Sequence, residues 1–70
     1  MQKLRKKFGR GLAELRRKRG FTQEGLAQQC GIHRSYLSGV ERGKHNISFA
    51  VMNKIATALK VCMSELFKDL

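Results

Sequence analysis

The chain has 70 residues, enough for one small domain with a marginal core, since a domain of this size buries only about 60% of its unfolded surface. It contains 15 lysines and arginines against five acidic residues, which gives a formal net charge of +10. Two cysteines are too few for a disulfide framework, and no segment is apolar enough to span a bilayer or to act as a secretory signal. A reducing cytoplasm is therefore the expected setting.

The positive charge is concentrated towards the N-terminus. Nine of the 15 basic residues lie before residue 20 together with one acid, Glu14, so this segment carries +8 and the following 51 residues carry +2. A field of this sign favours a polyanionic partner, either nucleic acid or an anionic membrane surface. A solvated helix face is the alternative that charge alone leaves open.

The first predicted helix carries an apolar stripe at three- and four-residue spacing. The stripe consists of Leu4, Phe8, Leu12 and Leu15. Gly20 is expected to end the helix, because glycine adopts the left-handed conformation at little cost. The early cations at 3–7 face the positive end of the helix dipole. Residues 1–7 are therefore expected to form an arm or a frayed first turn rather than stable helix.

Two short helices joined by a glycine turn are predicted over residues 22–42. Thr22 is a good N-cap for the first of them, and Gly31 supplies the turn because a positive φ costs glycine little. Leu37 and Val40 anchor the second helix from behind. This arrangement leaves a polar outer face on the second helix of the pair.

Two further helices are predicted after Gly43. Ser48 is expected to cap the fourth helix, whose inner face is predicted to be Phe49, Met52, Ile55, Ala56 and Leu59. A last short helix carries Met63, Leu66 and Phe67, with Leu70 at the chain end. No run alternates with period two, so the predicted fold is an all-α compact bundle of about five short helices in a single domain, residues 1–70.

The polar outer face of the third helix is typical of a helix that enters the major groove of DNA. Arg34 can fork onto guanine O6 and N7, a contact worth about 1–3 kcal/mol of discrimination. Ser35 can form a hydrogen bond to a base. Ser38 and Gly39 are small residues, which are expected to let the third helix lie deep in the major groove. The residues predicted from this face to read bases are His33, Arg34, Ser35 and Ser38.

A second set of polar residues is predicted to hold the sugar-phosphate backbone. Gln23 lies in the first turn of the second helix, where its amide and the free backbone N–H groups suit a phosphate. The end of the third helix and the following loop can hold the other side of the groove. The full set is Thr22, Gln23, Arg42, Lys44, Asn46 and Ser48.

The run from Phe21 to Gly43 resembles the Cro and lambda-repressor-type helix-turn-helix family, also called the XRE family. The resemblance extends from Leu12 to Phe67 and is carried by Thr22-Gln23-Glu24, Leu26-Ala27, Gly31, Glu41-Arg42-Gly43, Asn46, Ile55-Ala56, Ala58-Leu59 and Glu65-Leu66-Phe67. Within this family, the run 33–43 followed by Asn46 resembles the controller proteins of restriction–modification systems. Those are small dimeric regulators that bind paired operator sites.

The resemblance implies a lambda-repressor-like DNA-binding domain and specific residue roles. It adds Tyr36 to the base readers, although Tyr36 could instead pack on the second helix with its hydroxyl on a phosphate. It also implies a buried or half-buried ion pair between Arg16 and Glu41. The chain departs from the family pattern at Gly25, where glutamate is common and completes a capping box, and at Lys60, where glycine is common.

The last short helix carries more apolar side chains than it can bury against its own domain. We predict that residues 62–70 form a dimerisation helix with a self-complementary patch of Met63, Leu66, Phe67 and Leu70, in which Leu66 also points inward. The basic segment 1–7 is either a solvated face or an arm that reaches the DNA backbone or the neighbouring minor groove.

These features predict a homodimeric, sequence-specific DNA-binding transcriptional regulator on a pseudo-palindromic operator, cytoplasmic and associated with the nucleoid. Five acids and no nucleophile–base set argue against an enzyme. Cys30 and His33 have a metal-like spacing without a second ligand pair, so we expect no metal, no cofactor and no small-molecule ligand. A phage-type repressor, an antitoxin-like regulator and a cationic membrane-surface module are the alternatives.

Overall fold

The computed structural model describes residues 2–68 and contains four α-helices followed by one 3-10 helix. The α-helices are α1 (Gln2–Lys18), α2 (Gln23–Cys30), α3 (Arg34–Glu41) and α4 (Phe49–Leu59), and the 3-10 helix spans Met63–Phe67. The all-helical prediction is confirmed, and no strand occurs within the described range. The prediction of about five short helices needs correction, because α1 has 17 residues and the last element is a single 3-10 segment of five.

The core lies where α1 and α4 enclose the α2–α3 pair. It is formed by Phe8, Leu12, Leu26, Ala27, Cys30, Leu37, Val40, Ile55, Ala56, Leu59 and Leu66. Cys30 is a core residue as predicted, and burial raises the pKa of its thiol, partly offset by the charge of Lys54. Among residues 2–68, no helix has the length and apolarity that crossing a membrane requires.

The basic start of the chain is helical rather than an arm or a frayed end. Two glycines allow this part of α1 to pack closely on the end of α3. A Cβ added at Gly9 would lie 2.5 Å from the carbonyl oxygen of Glu41, and one added at Gly43 would lie 2.8 Å from Cα of Lys6. This tertiary packing stabilises helix where the cations alone oppose the dipole.

The helix ends in the structure agree with the sequence signals. Thr22 Oγ1 accepts a hydrogen bond from the backbone N–H of Gly25 at 2.9 Å, so half of the capping box survives without a glutamate. Gly31 ends α2 with φ +70°, as predicted. Ser48 caps α4 by accepting from the N–H of Val51 at 3.1 Å. These caps set the length of the α2–α3 pair and the start of α4.

The C-cap of α4 is a strained position. Lys60 has φ +60°, the only positive φ of a non-glycine residue within residues 2–68. This conformation costs an L-residue about 1–2 kcal/mol. Replacement by glycine is expected to raise the free energy of unfolding by about 0.5–1 kcal/mol, because the extra freedom of glycine in the unfolded chain cancels part of the gain.

Urea denaturation measures the effect of Lys60→Gly, and Lys60→Ala is the matched control. The alanine variant loses the same charge but keeps the Cβ, so it is expected to show no gain. A gain of equal size in both variants would assign the effect to charge rather than to backbone strain.

Two large apolar side chains of α1 and α4 are exposed rather than packed in the core. Phe49 was predicted on the inner face of α4 but is 72% exposed, and Leu4, the first residue of the α1 stripe, is 52% exposed. Phe49 lies four residues before the exposed Asn53 and therefore shares its face rather than that of Ile55. Both expectations of burial were wrong.

The predicted dimer residues separate into different environments. Leu66 is buried in the core of its own chain, which is the inward position predicted for it, and its part in the dimer patch stays a prediction. Phe67 is 40% exposed, with its ring centroid 5.5 Å from that of Phe8, and Met63 is half-buried. Leu70 lies outside the described residues.

Candidate nucleic-acid interface

The first turn of α3 is the exposed polar part of this helix. Leu37 and Val40 are buried and hold α3 against the core from behind. His33 is the N-cap residue without a side-chain capping bond, and Arg34 and Ser35 follow it on the exposed side. The structure therefore brings these three predicted base readers together at one exposed helix start.

A buried ion pair joins α1 to the end of α3, as the family resemblance implies. The guanidinium of Arg16 donates to both carboxylate oxygens of Glu41, at 2.7 and 3.2 Å. A third guanidinium bond, at 2.7 Å, goes to the carbonyl oxygen of Phe21. The side chains of Arg16 and Glu41 are only 8% and 5% exposed, so water screens their attraction little.

Gln23 links this ion pair to the first turn of α3. Its amide nitrogen donates to Glu41 Oε1 at 2.9 Å, and its amide oxygen accepts from the guanidinium of Arg34 at 3.4 Å. The first contact is short and partly buried, whereas the second is long and exposed, and therefore weak. Gln23 thus positions Arg34 from a fixed point and leaves the guanidinium free to move onto a stronger acceptor.

Tyr36, the third residue of α3, contacts the loop that follows this helix. Its hydroxyl donates to the carbonyl oxygen of Asn46 at 3.1 Å, and its ring stacks on His45 with centroids 5.9 Å apart and 10° between planes. Gly39 is buried beneath His45, whose ring occupies the space that a Cβ would fill. The expectation that Gly39 keeps the DNA-facing surface low was wrong, because its missing side chain admits His45.

Two predicted backbone contacts lie at helix starts. Thr22 and Ser48 are exposed and use their hydroxyl oxygens as helix caps. Each hydroxyl still has its hydrogen to donate, and a phosphate oxygen accepts such a bond well. The capping role and the predicted phosphate contact are therefore compatible.

The loop after α3 supplies the other predicted backbone contacts. Arg42 Nε donates to the carbonyl oxygen of Ser38 at 3.3 Å, and Ser38 itself is half-buried. Lys44 and Asn46 are exposed. Arg5 donates to Asn46 Oδ1 at 3.1 Å across 41 positions of sequence, a contact that no sequence pattern signals. The loop is thus tied to the start of α1.

An apolar groove lies beside this loop. It has a volume of about 300 Å³ and is lined by Leu4, Arg5, Phe8, His45, Asn46, Ile47, Met52 and Phe67. Phe49 lies one turn before Met52 on the exposed side of α4. Two of the exposed apolar side chains, Leu4 and Phe67, therefore line one groove.

A pair of short helices joined at a left-handed glycine, with the second helix presenting a polar first turn, defines a helix-turn-helix domain. The sequence of the chain also matches this class of domain. The chain belongs to the helix-turn-helix family of DNA-binding regulators, whose sequence pattern matches residues 12–66.

Individual proteins resemble the chain over most of its length. It is 38% identical to the control protein C.MunI from Mycoplasma sp, over all of this chain and 96% of the relative. It is 48% identical to the restriction-modification controller protein C.AhdI from Aeromonas hydrophila, whose crystal structure superposes with a TM-score of 0.87 over 96% of this chain and 100% of that one. The biofilm regulator SinR, solved in complex with DNA, is 30% identical, with a TM-score of 0.81 over 86% of this chain and 97% of that one.

Proposed function

We propose that the protein is a homodimeric, sequence-specific transcriptional regulator of the restriction–modification controller type, built on a single lambda-repressor-like domain. The observation that carries this proposal is the placement of Arg34. It lies at the exposed first turn of α3, where a weak hydrogen bond joins it to Gln23, and Gln23 is fixed in turn by the buried Arg16–Glu41 pair. Similarity to C.MunI and C.AhdI supports the controller type.

In the proposed complex, α3 of each protomer enters a major groove on one face of the DNA. The two grooves lie about 34 Å apart, so the operator is pseudo-palindromic. His33, Arg34 and Ser35 face the base edges, with Tyr36 and Ser38 as the further proposed readers. The proposed phosphate contacts at the two ends of the helix pair fix the register of α3 in the groove. The bound dimer acts by blocking or recruiting the polymerase in the cytoplasm.

The proposed dimer uses the apolar face beside the groove. Phe67 from the predicted segment 62–70 lines that groove together with Leu4, which the sequence did not assign to the patch. Met63, Leu66 and Leu70 remain the other proposed members of the patch. A contiguous set of exposed apolar side chains in a small soluble domain marks an interface. An isologous pairing of this face buries the same side chains on both protomers.

A cationic membrane-surface module receives less support from the packing. Such a module needs a large apolar helix face turned towards lipid. Phe8 and Leu12 of the α1 stripe are instead buried in the core, and only Leu4 at its start is strongly exposed. The positive charge is therefore assigned to DNA rather than to lipid headgroups.

Arg34→Ala tests the proposed function. On an operator selected from random DNA, the ratio of non-specific to specific Kd is expected to fall by at least about 30-fold, because the dimer loses two bidentate arginine–guanine contacts, each worth about 1–3 kcal/mol. Arg17→Ala is the matched control, since it removes one arginine that lines the groove between α1 and the 3-10 helix. It is expected to leave the ratio unchanged. Equal loss on all sequences by Arg34→Ala would show that Arg34 contacts only phosphate.

A further inference from the structure

We propose that one edge of α1, formed by Lys3, Lys6 and Arg10, is an additional DNA-contacting surface that binds the sugar-phosphate backbone flanking the groove read by α3. We call this edge the α1 ridge. The inference rests on the proposed function, because it concerns the same DNA and the same docked orientation. It assigns the N-terminal charge to a rigid helical surface in place of a flexible arm.

The start of α1 packs on the glycine that follows the end of α3. Lys6 packs so closely on Gly43 that a Cβ at Gly43 would lie 2.6 Å from Lys6 Cγ and 2.9 Å from the Lys6 backbone nitrogen. The neighbours of Gly43 in the chain are Arg42 and Lys44, both exposed. Lys6 therefore lies beside two residues that are proposed to bind phosphate.

A second contact fixes the same end of α1. Arg5 donates to Asn46 Oδ1 at 3.1 Å, and Asn46 also accepts from the hydroxyl of Tyr36 through its carbonyl oxygen. The start of α1 is thus tied to the loop at one point and packed against it at another. A side chain on this edge of α1 keeps a defined position relative to α3, which a disordered arm does not.

The charges on the ridge are suited to a polyanion. Lys3, Lys6 and Arg10 follow one another at three- and four-residue spacing, so they share one side of the helix, and all three are exposed. None pairs with a carboxylate among residues 2–68. Glu14, four residues after Arg10, lines a groove with Glu65 beside the 3-10 helix.

The side of α1 that borders the 3-10 helix provides a matched control. Lys7 and Lys18 line the groove between α1 and the 3-10 helix together with Glu14, Glu65 and Leu66. The double variants Lys6→Gln/Arg10→Gln and Lys7→Gln/Lys18→Gln remove the same charge from the same helix. Glutamine keeps the Cγ that packs on Gly43 and is a good helix former, so both variants are expected to fold.

The measurement is the dependence of operator affinity on salt concentration. Each phosphate contact contributes about 0.9 to the slope of log K against log salt on B-form DNA. The ridge variant removes two charges from each protomer of the dimer, so it is expected to lose about 2–4 from this slope. The control variant is expected to keep the slope of the parent. Hydroxyl-radical footprinting is expected to show lost protection at phosphates flanking the site for the ridge variant only.

Two results would overturn the inference. Equal changes in slope for both double variants would mean that the positive charge of α1 acts only as a long-range field. An unchanged slope for the ridge variant would mean that the ridge side chains face solvent and do not contact DNA. Both results leave the proposed function intact as long as the parent chain prefers one DNA sequence. Loss of that preference in the parent would reject the proposed function itself.

Discussion

Replacing Glu41 by glutamine is expected to lower the free energy of unfolding by about 3–5 kcal/mol, because it leaves the buried guanidinium of Arg16 without a counter-charge. A domain of this size has a total stability of about 4–10 kcal/mol, so this one change removes much of it. The loss has a second consequence at the DNA-binding surface. Gln23 loses a charged acceptor, and Arg34 loses its link to a fixed point. Urea denaturation measures the stability change.

A double-mutant cycle separates the ion pair from other effects of the substitution. Arg16→Met combined with Glu41→Leu removes both charges, so it is expected to cost less than the sum of the two single variants. Some loss is still expected, because the carbonyl of Phe21 and the amide of Gln23 each lose a partner. Additive single losses, or a Glu41→Gln variant within about 1 kcal/mol of the parent, would contradict the proposed importance of the pair.

Gly9→Ala is expected to lower the free energy of unfolding by about 3 kcal/mol, at the upper end of what overpacking of a core costs. The added Cβ would meet the carbonyl oxygens of Val40 and Glu41 and the carbonyl carbon of Glu41, which lies 2.8 Å away. These are backbone atoms, so no rotamer change can relieve the clash. α1 would have to move away from the end of α3. The change is measured by urea or thermal denaturation.

Gly11→Ala is the matched control in the same helix. A Cβ at Gly11 meets nothing within 4 Å, so alanine there is expected to raise stability by about 0.5–1 kcal/mol through helix propensity alone. The expected result is that the free energy of unfolding falls with Gly9→Ala and rises with Gly11→Ala, although the two positions are only two residues apart. The same sign at both positions would mean that α1 does not pass α3 as closely as the structure indicates.

Much of the fold could be predicted because its signals are local. Thr22, Ser48 and Gly31 set helix ends through their own conformational preferences, and the helical period of the apolar residues placed Leu12, Leu37 and Ile55 in the core. The prediction of burial was wrong where the helical period of a residue and its position in the folded chain differ. Leu4 follows the period of the α1 stripe but is not enclosed by the neighbouring helices.

The candidate site was only partly predictable for a related reason. The exposed start of α3 follows from its amphipathic pattern, so His33, Arg34 and Ser35 could be singled out from sequence. The close passage of α1 over α3 depends on Gly9 and Gly43, and neither glycine reveals its neighbour in the sequence. The Arg5–Asn46 bond likewise joins residues that become adjacent only in the folded chain. The proposed α1 ridge therefore became visible only once α1 was placed.

Selection of bound DNA from a random pool, carried out with the parent chain and with Arg34→Ala, tests the central claim most directly. The proposed function predicts an enriched pseudo-palindrome with half-sites centred about 10 base pairs apart or a multiple of this spacing. It also predicts a guanine in each half-site whose enrichment disappears with Arg34→Ala. A pool without an enriched motif, a single unpaired half-site, or a motif unchanged by Arg34→Ala would contradict the account of a dimer that reads DNA through the first turn of α3.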